Sequence, residues 1–104
     1  PSDEVDYSPI LKDYDKVIDL KPDLAIAWFN RGNVKARMGA YNDAVQEYDK
    51  ALELEERLGE AHFNRALLLI YLKRNEEACK DLSRAGELGI RNSYNLIKRY
   101  CEEE

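Results

Sequence analysis

The chain has 104 residues and a mass of 12.1 kDa, and at roughly 150 residues per domain that allows one domain and is too short for a two-domain enzyme. Sixteen basic against 21 acidic residues give a formal charge of -5 and a pI near 5.0, the opposite of the basic stripe that holds a phosphate backbone, which argues against nucleic acid as a partner. With 44% hydrophobic and 36% charged residues, the chain can bury a core yet needs a large wetted surface, a balance that suits elongated helical layers.

Six helices follow from the pattern of apolar residues and breakers. Ser8-Pro9 reads as an N-cap followed by proline at the first helical position, and opens a helix to about Leu20. Lys21-Pro22-Asp23 stops it and caps the second, from about Leu24 to Met38, which Gly39 ends in the left-handed conformation. The third runs from about Asn42 to Glu55, the fourth from Glu60 to Leu72, and the fifth from Glu76 to Glu87, where Gly86 and Gly89 weaken it. Asn92 caps a sixth, from Ser93 to about Glu103. No segment alternates with period two, so no strand is expected.

The helices repeat. Asp13-Tyr14-Asp15-Lys16-Val17-Ile18-Asp19-Leu20 lies over Glu47-Tyr48-Asp49-Lys50-Ala51-Leu52-Glu53-Leu54 at a displacement of 34 residues. Trp28-Phe29-Asn30-Arg31-Gly32 lies over His62-Phe63-Asn64-Arg65-Ala66 by the same shift of 34, and Ala44, Ala51 and Leu54 return as Ala78, Ala85 and Leu88. A 34-residue period is the mark of a solenoid whose units bury their apolar stripes only against their neighbours. Its small residues let helix backbones approach, while Trp28, Tyr41 and Tyr48 fill the space beside each contact.

These residues resemble the tetratricopeptide repeat. Within 25–58 the family pattern is matched by Trp28, Gly32, Gly39, Tyr41, Ala44, Tyr48, Ala51, Leu52 and Leu54; Arg31 replaces the family leucine, Lys35 the tyrosine, and Glu56 the closing proline. His62, Ala66, Ala78, Leu82, Ala85 and Leu88 keep the register in 59–92. The resemblance implies a single all-α domain, a right-handed α-solenoid of antiparallel helix pairs. It has two full units, 25–58 and 59–92, between the second helix of a truncated unit (1–24) and a capping helix (93–104). The closing segment from Leu82 to Cys101 also resembles the end of bacterial repeat proteins, and with Pro1 in place of Met the chain reads as a processed or excised C-terminal segment.

The family implies a non-catalytic scaffold for protein or peptide partners, with no cofactor. Its first helices line a concave groove, which places Phe29, Asn30, Asn33 and Arg37 there from one unit, Phe63, Asn64 and Tyr71 from the next, and Lys98 from the capping helix. Asparagine amides suit the backbone of an extended peptide and the phenylalanines an apolar side chain. In the clamp by which some members grip a peptide carboxylate, the two asparagine places fall on Asn33 and Asn64, but Phe29 and Tyr94 stand where two lysines would be. A groove of apolar and amide character is expected instead. The alternative is a module that only packs within a longer array or on itself: Ile10, Val17 and Ile18 lack their natural covering helix, and a homodimer through the N-terminal half unit is the expectation.

The remaining chemistry is sparse. His62, the only histidine, falls at the Trp28 place and reads as a packing residue, and neighbouring acids such as Glu55-Glu56 point about 100° apart on a helix, so no catalytic set forms. The Glu102-Glu103-Glu104 run reads as a solvated tail. Cys79 and Cys101, 22 residues apart without a CxxC, do not suggest a metal or a disulfide scaffold; Cys79 reads as a small buried hydrophobe, and a reducing compartment such as the cytoplasm is favoured. The longest apolar run, Ala66 to Leu72, is stopped by Lys73 and Arg74, well short of the ~18 residues of a membrane span.

Overall fold

The structure, a computed structural model, describes residues 4–102, which form six helices and no strand. They are α1 (Ser8–Leu20), α2 (Ala25–Arg37), α3 (Tyr41–Leu54), α4 (Gly59–Tyr71), α5 (Asn75–Glu87) and α6 (Asn92–Tyr100). The helix starts and ends follow the breakers in the sequence, with one-residue differences at the caps. Tyr7 is the N-cap of α1, and Ser8 is already helical, its N–H received by Asp6 Oδ1 at 3.0 Å. Asn92 likewise begins α6 rather than capping it. That last helix stops at Tyr100, short of the expected Glu103, which with Glu104 lies outside the described residues.

Gly39 closes α2 at a φ of 84°, with Ala40 N–H bonded to Lys35 O at 2.9 Å. Lys73 occupies the same place after α4 and is forced to a φ of 66° by the equivalent bond, Arg74 N–H to Leu69 O at 2.7 Å. A non-glycine residue is held in the left-handed region there by the helix-end pattern itself.

Packing repeats with the sequence. The most extensive contacts are between α2 and α3 and between α4 and α5, the two helices of each unit, and the units join through α3 and α4. Ala44, Ala51, Ala61, Ala66, Ala78 and Ala85 have no exposed surface, and Tyr48 and Leu82 are sealed beside them. A Cβ built on Gly32 would stand 2.9 Å from Cε1 of Tyr48, so only glycine lets α2 lie this close to that ring.

The cysteines correct the sequence reading. Cys79 of α5 and Cys101, just past α6, form a disulfide, with 5.8 Å between their Cα atoms. Cys79 is half-buried and bonded rather than a free core hydrophobe. The bond closes α6 back onto α5 and removes the ground on which two isolated cysteines favoured a reducing compartment.

Candidate functional site

The first helices of successive units, α2 and α4, touch each other, and between them lies a cavity of about 280 Å³. Asn33, Ala36 and Arg37 of α2 line it together with Asn64, Leu67 and Leu68 of α4, and Tyr48 of α3 closes the floor. Asn33 Oδ1 accepts two hydrogen bonds there, from the Tyr48 hydroxyl and from Asn64 Nδ2, the latter at 3.0 Å. Burial pushes the Tyr48 phenol up to about 12, against the opposing pull of the Asn64 amide and the Arg37 guanidinium, so Tyr48 is a neutral donor throughout the physiological range. Arg37 is exposed at the rim and enters none of the ion pairs among the described residues.

Of the residues expected in the groove, Asn33, Arg37 and Asn64 thus come together around one cavity. Phe29 does not. It is 7% exposed and its ring lies 5.8 Å from that of Tyr48, inside the core, so it is unavailable to a ligand's side chain. Phe63 is half-buried against the same core. Asn30 is half-buried and takes part in none of the side-chain hydrogen bonds found among the described residues. Tyr71 is 66% exposed, with its ring edge-on to Tyr41 at 4.6 Å, and Lys98 is exposed on α6, away from the cavity lining.

A second constellation holds the units together. Arg31 binds Glu47 through Nε and Nη2 and reaches Asp15 with Nη1 at 2.8 Å. Arg65 repeats the arrangement, gripping Asp81 with Nε and Nη2 at 2.7 Å each and Asp49 with Nη1 at 2.7 Å. Each arginine thus ties the second helix of its own unit to that of the preceding one. The hydrogen bonds that Arg65 donates to the Asp81 carboxylate raise its guanidinium above its already high ordinary value. His62 joins this network: Nδ1 lies 3.0 Å from Asp81 Oδ1 and Nε2 3.0 Å from Glu56 O. The second contact repeats the bond from Trp28 Nε1 to Pro22 O at 2.9 Å. His62 is therefore the packing residue expected, with a polar anchorage that the sequence reading missed. The signal was present, because Arg31 and Arg65, Asp15 and Asp49, and Glu47 and Asp81 all keep the 34-residue shift. The charged cleft of about 330 Å³ beside this ladder is lined by Asp49, Arg65, Asp81, Arg74 and Glu77, which already bind one another, and by the exposed Lys80.

Among the described residues no cluster of three or more His, Cys, Asp or Glu side chains is placed to hold a metal, and no helix is long and apolar enough to cross a membrane.

The tetratricopeptide-repeat family profile matches residues 25–58 and again residues 59–88. The chain belongs to the tetratricopeptide-repeat family. Its repeats superpose on solved members of the family. The first such domain of Spaghetti (RPAP3), solved bound to the HSP90 peptide SRMEEVD, has a TM-score of 0.84 at 25% identity, covering 90% of this chain and 76% of that one. YrrB, described as a tetratricopeptide-repeat protein with an unusual peptide-binding site, has a TM-score of 0.70 at 25% identity, covering 74% of this chain and 40% of that one. Comparison with curated proteins gives no significant match.

Proposed function

We propose that these repeats form a non-catalytic interaction module that binds an extended segment of a partner protein along the face made by α2 and α4. The observation that carries this reading is the amide pair at the floor of the 280 Å³ cavity. Asn33 spends its Oδ1 on Tyr48 and Asn64, so its two N–H groups and the Oδ1 of Asn64 remain for a ligand. A peptide backbone presents one acceptor and one donor per residue and matches that set. Leu67 and Leu68 offer apolar contact beside it, and Arg37 a single cation. Both solved relatives are peptide-binding repeats, which supports the same use here. With Phe29 inside the core and Tyr94 on α6 in place of two clamp lysines, the contacts are mostly neutral, and salt is expected to weaken binding only modestly.

The test is selection of binders from a displayed library of random twelve-residue peptides, followed by titration against variants. Asn64→Ala should weaken the selected peptides by about 1 kcal/mol, and Glu53→Ala, on the opposite helix layer, should leave them unchanged. Equal affinity for both variants, or no binder at all, would remove this face from the mechanism. The rival reading, packing or self-association with no peptide ligand, draws on a different observation: α1 leaves Ile10 and Val17 uncovered, whereas Ile18, expected to be open with them, is buried against the rest of the chain.

A further inference from the structure

α6 is held on α5 by few contacts besides a bond that chemistry can open. It has nine residues, fewer than an isolated helix needs in water, so it stays helical only while docked. It packs extensively on α5 alone. Leu96 and Ile97 touch the core, and the Tyr94 ring lies over Gly86, where a Cβ would stand 3.0 Å from Tyr94 Cζ. Arg91, Lys98 and Arg99 enter none of the ion pairs among the described residues. The Ser93 hydroxyl is buried with no hydrogen-bond partner among those residues, which weighs against the docked state. At the other end of the helix the Cys79–Cys101 bond ties it down, and neither cysteine is fully buried. Beside the bond opens a cavity of about 380 Å³, lined by both cysteines together with the exposed Asn75, Glu76 and Tyr100.

We infer that Cys79 and Cys101 form a reversible thiol–disulfide site, opened by a dithiol reductant, that latches and releases α6. The exchange is two successive displacements. One thiolate of the reductant reaches a cysteine sulfur through the cavity and bonds to it, and the electron pair of the S–S bond leaves on the other cysteine, which takes up a proton. The second thiolate of the reductant then displaces the first cysteine, so two electrons and two protons pass to the protein and the reductant ends as its own disulfide. A disulfide open to solvent is the kind that such exchange reaches in a native protein. Once the tether is cut, α6 keeps only its apolar contacts, set against the cost at Ser93, and it frays from α5. In a solenoid that change stays with the nearest neighbour. Gly86 and the adjoining surface of α5 open, while α1 to α4 and the Asn33–Asn64 cavity keep their packing. Closure is favoured in turn, because redocking brings the two Cα atoms back to 5.8 Å and holds the thiols at high effective concentration.

The probe is dithiothreitol, added to the isotope-labelled chain in native buffer, with thiols counted by alkylation and mass and amide exchange followed by NMR. Both cysteines should become alkylated without denaturant, and α6 amides should exchange at least about tenfold faster while those of α1 to α4 keep their rates. Oxidised dithiothreitol should then restore the bond within one chain, and the protection of α6 with it. The variant Cys79→Ser with Cys101→Ser should show the fast-exchanging α6 from the start and ignore dithiothreitol, which separates loss of the bond from any other effect of the reagent. A bond that resists dithiothreitol until denaturant is added, reduction that leaves α6 exchange unchanged, or reoxidation that joins separate chains would each overturn the inference. So would unfolding of the whole chain on reduction, because the bond would then hold the entire fold rather than one helix. The cavity between α2 and α4 takes no part in this exchange, so the latch and the peptide-binding reading can each fail without the other.

Discussion

At the C-terminal end, α6 lies on α5 and is fastened to it through Cys79–Cys101, Ser93 is fully buried at its start, and Tyr100 occupies the position through which a further helix would approach. At the N-terminal end, α1 touches α2 on one side and presents Ile10, Asp13 and Val17 to solvent on the other. Both ends are built from the same 34-residue register, yet one is closed by a covalent bond and a bulky ring while the other keeps the residues of an internal contact. In a solenoid each unit contacts only its neighbours, and stability is a sum of nearest-neighbour terms. A repeat position therefore has no fixed energetic value: its worth depends on whether the helix that should cover it is there.

The acid of the ladder gives the largest contrast. Asp81 has a side chain only 6% exposed and binds both Arg65 and His62. Asp81→Ala would leave the partly buried Arg65 guanidinium with only Asp49 and the buried His62 imidazole without its carboxylate partner, and should cost about 3 kcal/mol in urea unfolding. Asp13→Ala, at the same register on α1, should change stability by less than about 0.5 kcal/mol. Similar losses for the two would break the comparison, because they would mean that Asp13 already has a structural partner.

Next in size is the closure of the C-terminal end. The disulfide spans 22 residues of sequence, and a loop of that length constrains the unfolded chain by up to about 3.4 kcal/mol. Reduction, or the double substitution Cys79→Ser with Cys101→Ser, should lower the melting temperature and speed amide exchange in α6 while leaving α1 unchanged. If α6 amides stay protected after reduction, Ser93 and the packing on α5 close that end without help, and the bond is incidental.

How much of this could be read from the sequence differs by the kind of contact. The six helices and the 34-residue register were legible because apolar spacing and turn residues act locally and recur. The Arg31 and Arg65 ladder was equally periodic, but its acids lie 16 residues to either side of each arginine, a distance that means nothing until the helices are folded back on one another. The same is true of Cys79 and Cys101, whose pairing depends on α6 returning along α5. In the candidate site, repetition at 34 residues pointed to Asn30 with Asn64, whereas the structure bonds Asn64 to Asn33. Neighbouring helices meet with an offset, so a residue faces a partner about one turn away from its own repeat equivalent, 31 residues back rather than 34. Phe29 repeats as Phe63 for a related reason: its spacing marks a core-facing stripe that sequence alone does not separate from a ligand-facing one.

The smallest expected effect tests the comparison at its most sensitive point, a pair of residues that share a register and differ only in their neighbours. Ala44 has no exposed surface, and the α2 backbone lies close at Gly32. Placing there the side chain that α1 carries, Ala44→Ile, forces four heavy atoms into one position by adding three beyond the methyl, and should cost about 1–3 kcal/mol through displaced rotamers and a widened helix crossing. The reciprocal change, Ile10→Ala, removes a side chain already half in water; the lost burial is small, and alanine's better helix propensity offsets part of it, so the net change should be below about 0.5 kcal/mol. Chemical unfolding of the two variants decides the matter by the asymmetry between them rather than by either value alone. Equal costs would mean that Ile10 is packed as tightly as Ala44 in solution, which requires a helix on the open face of α1.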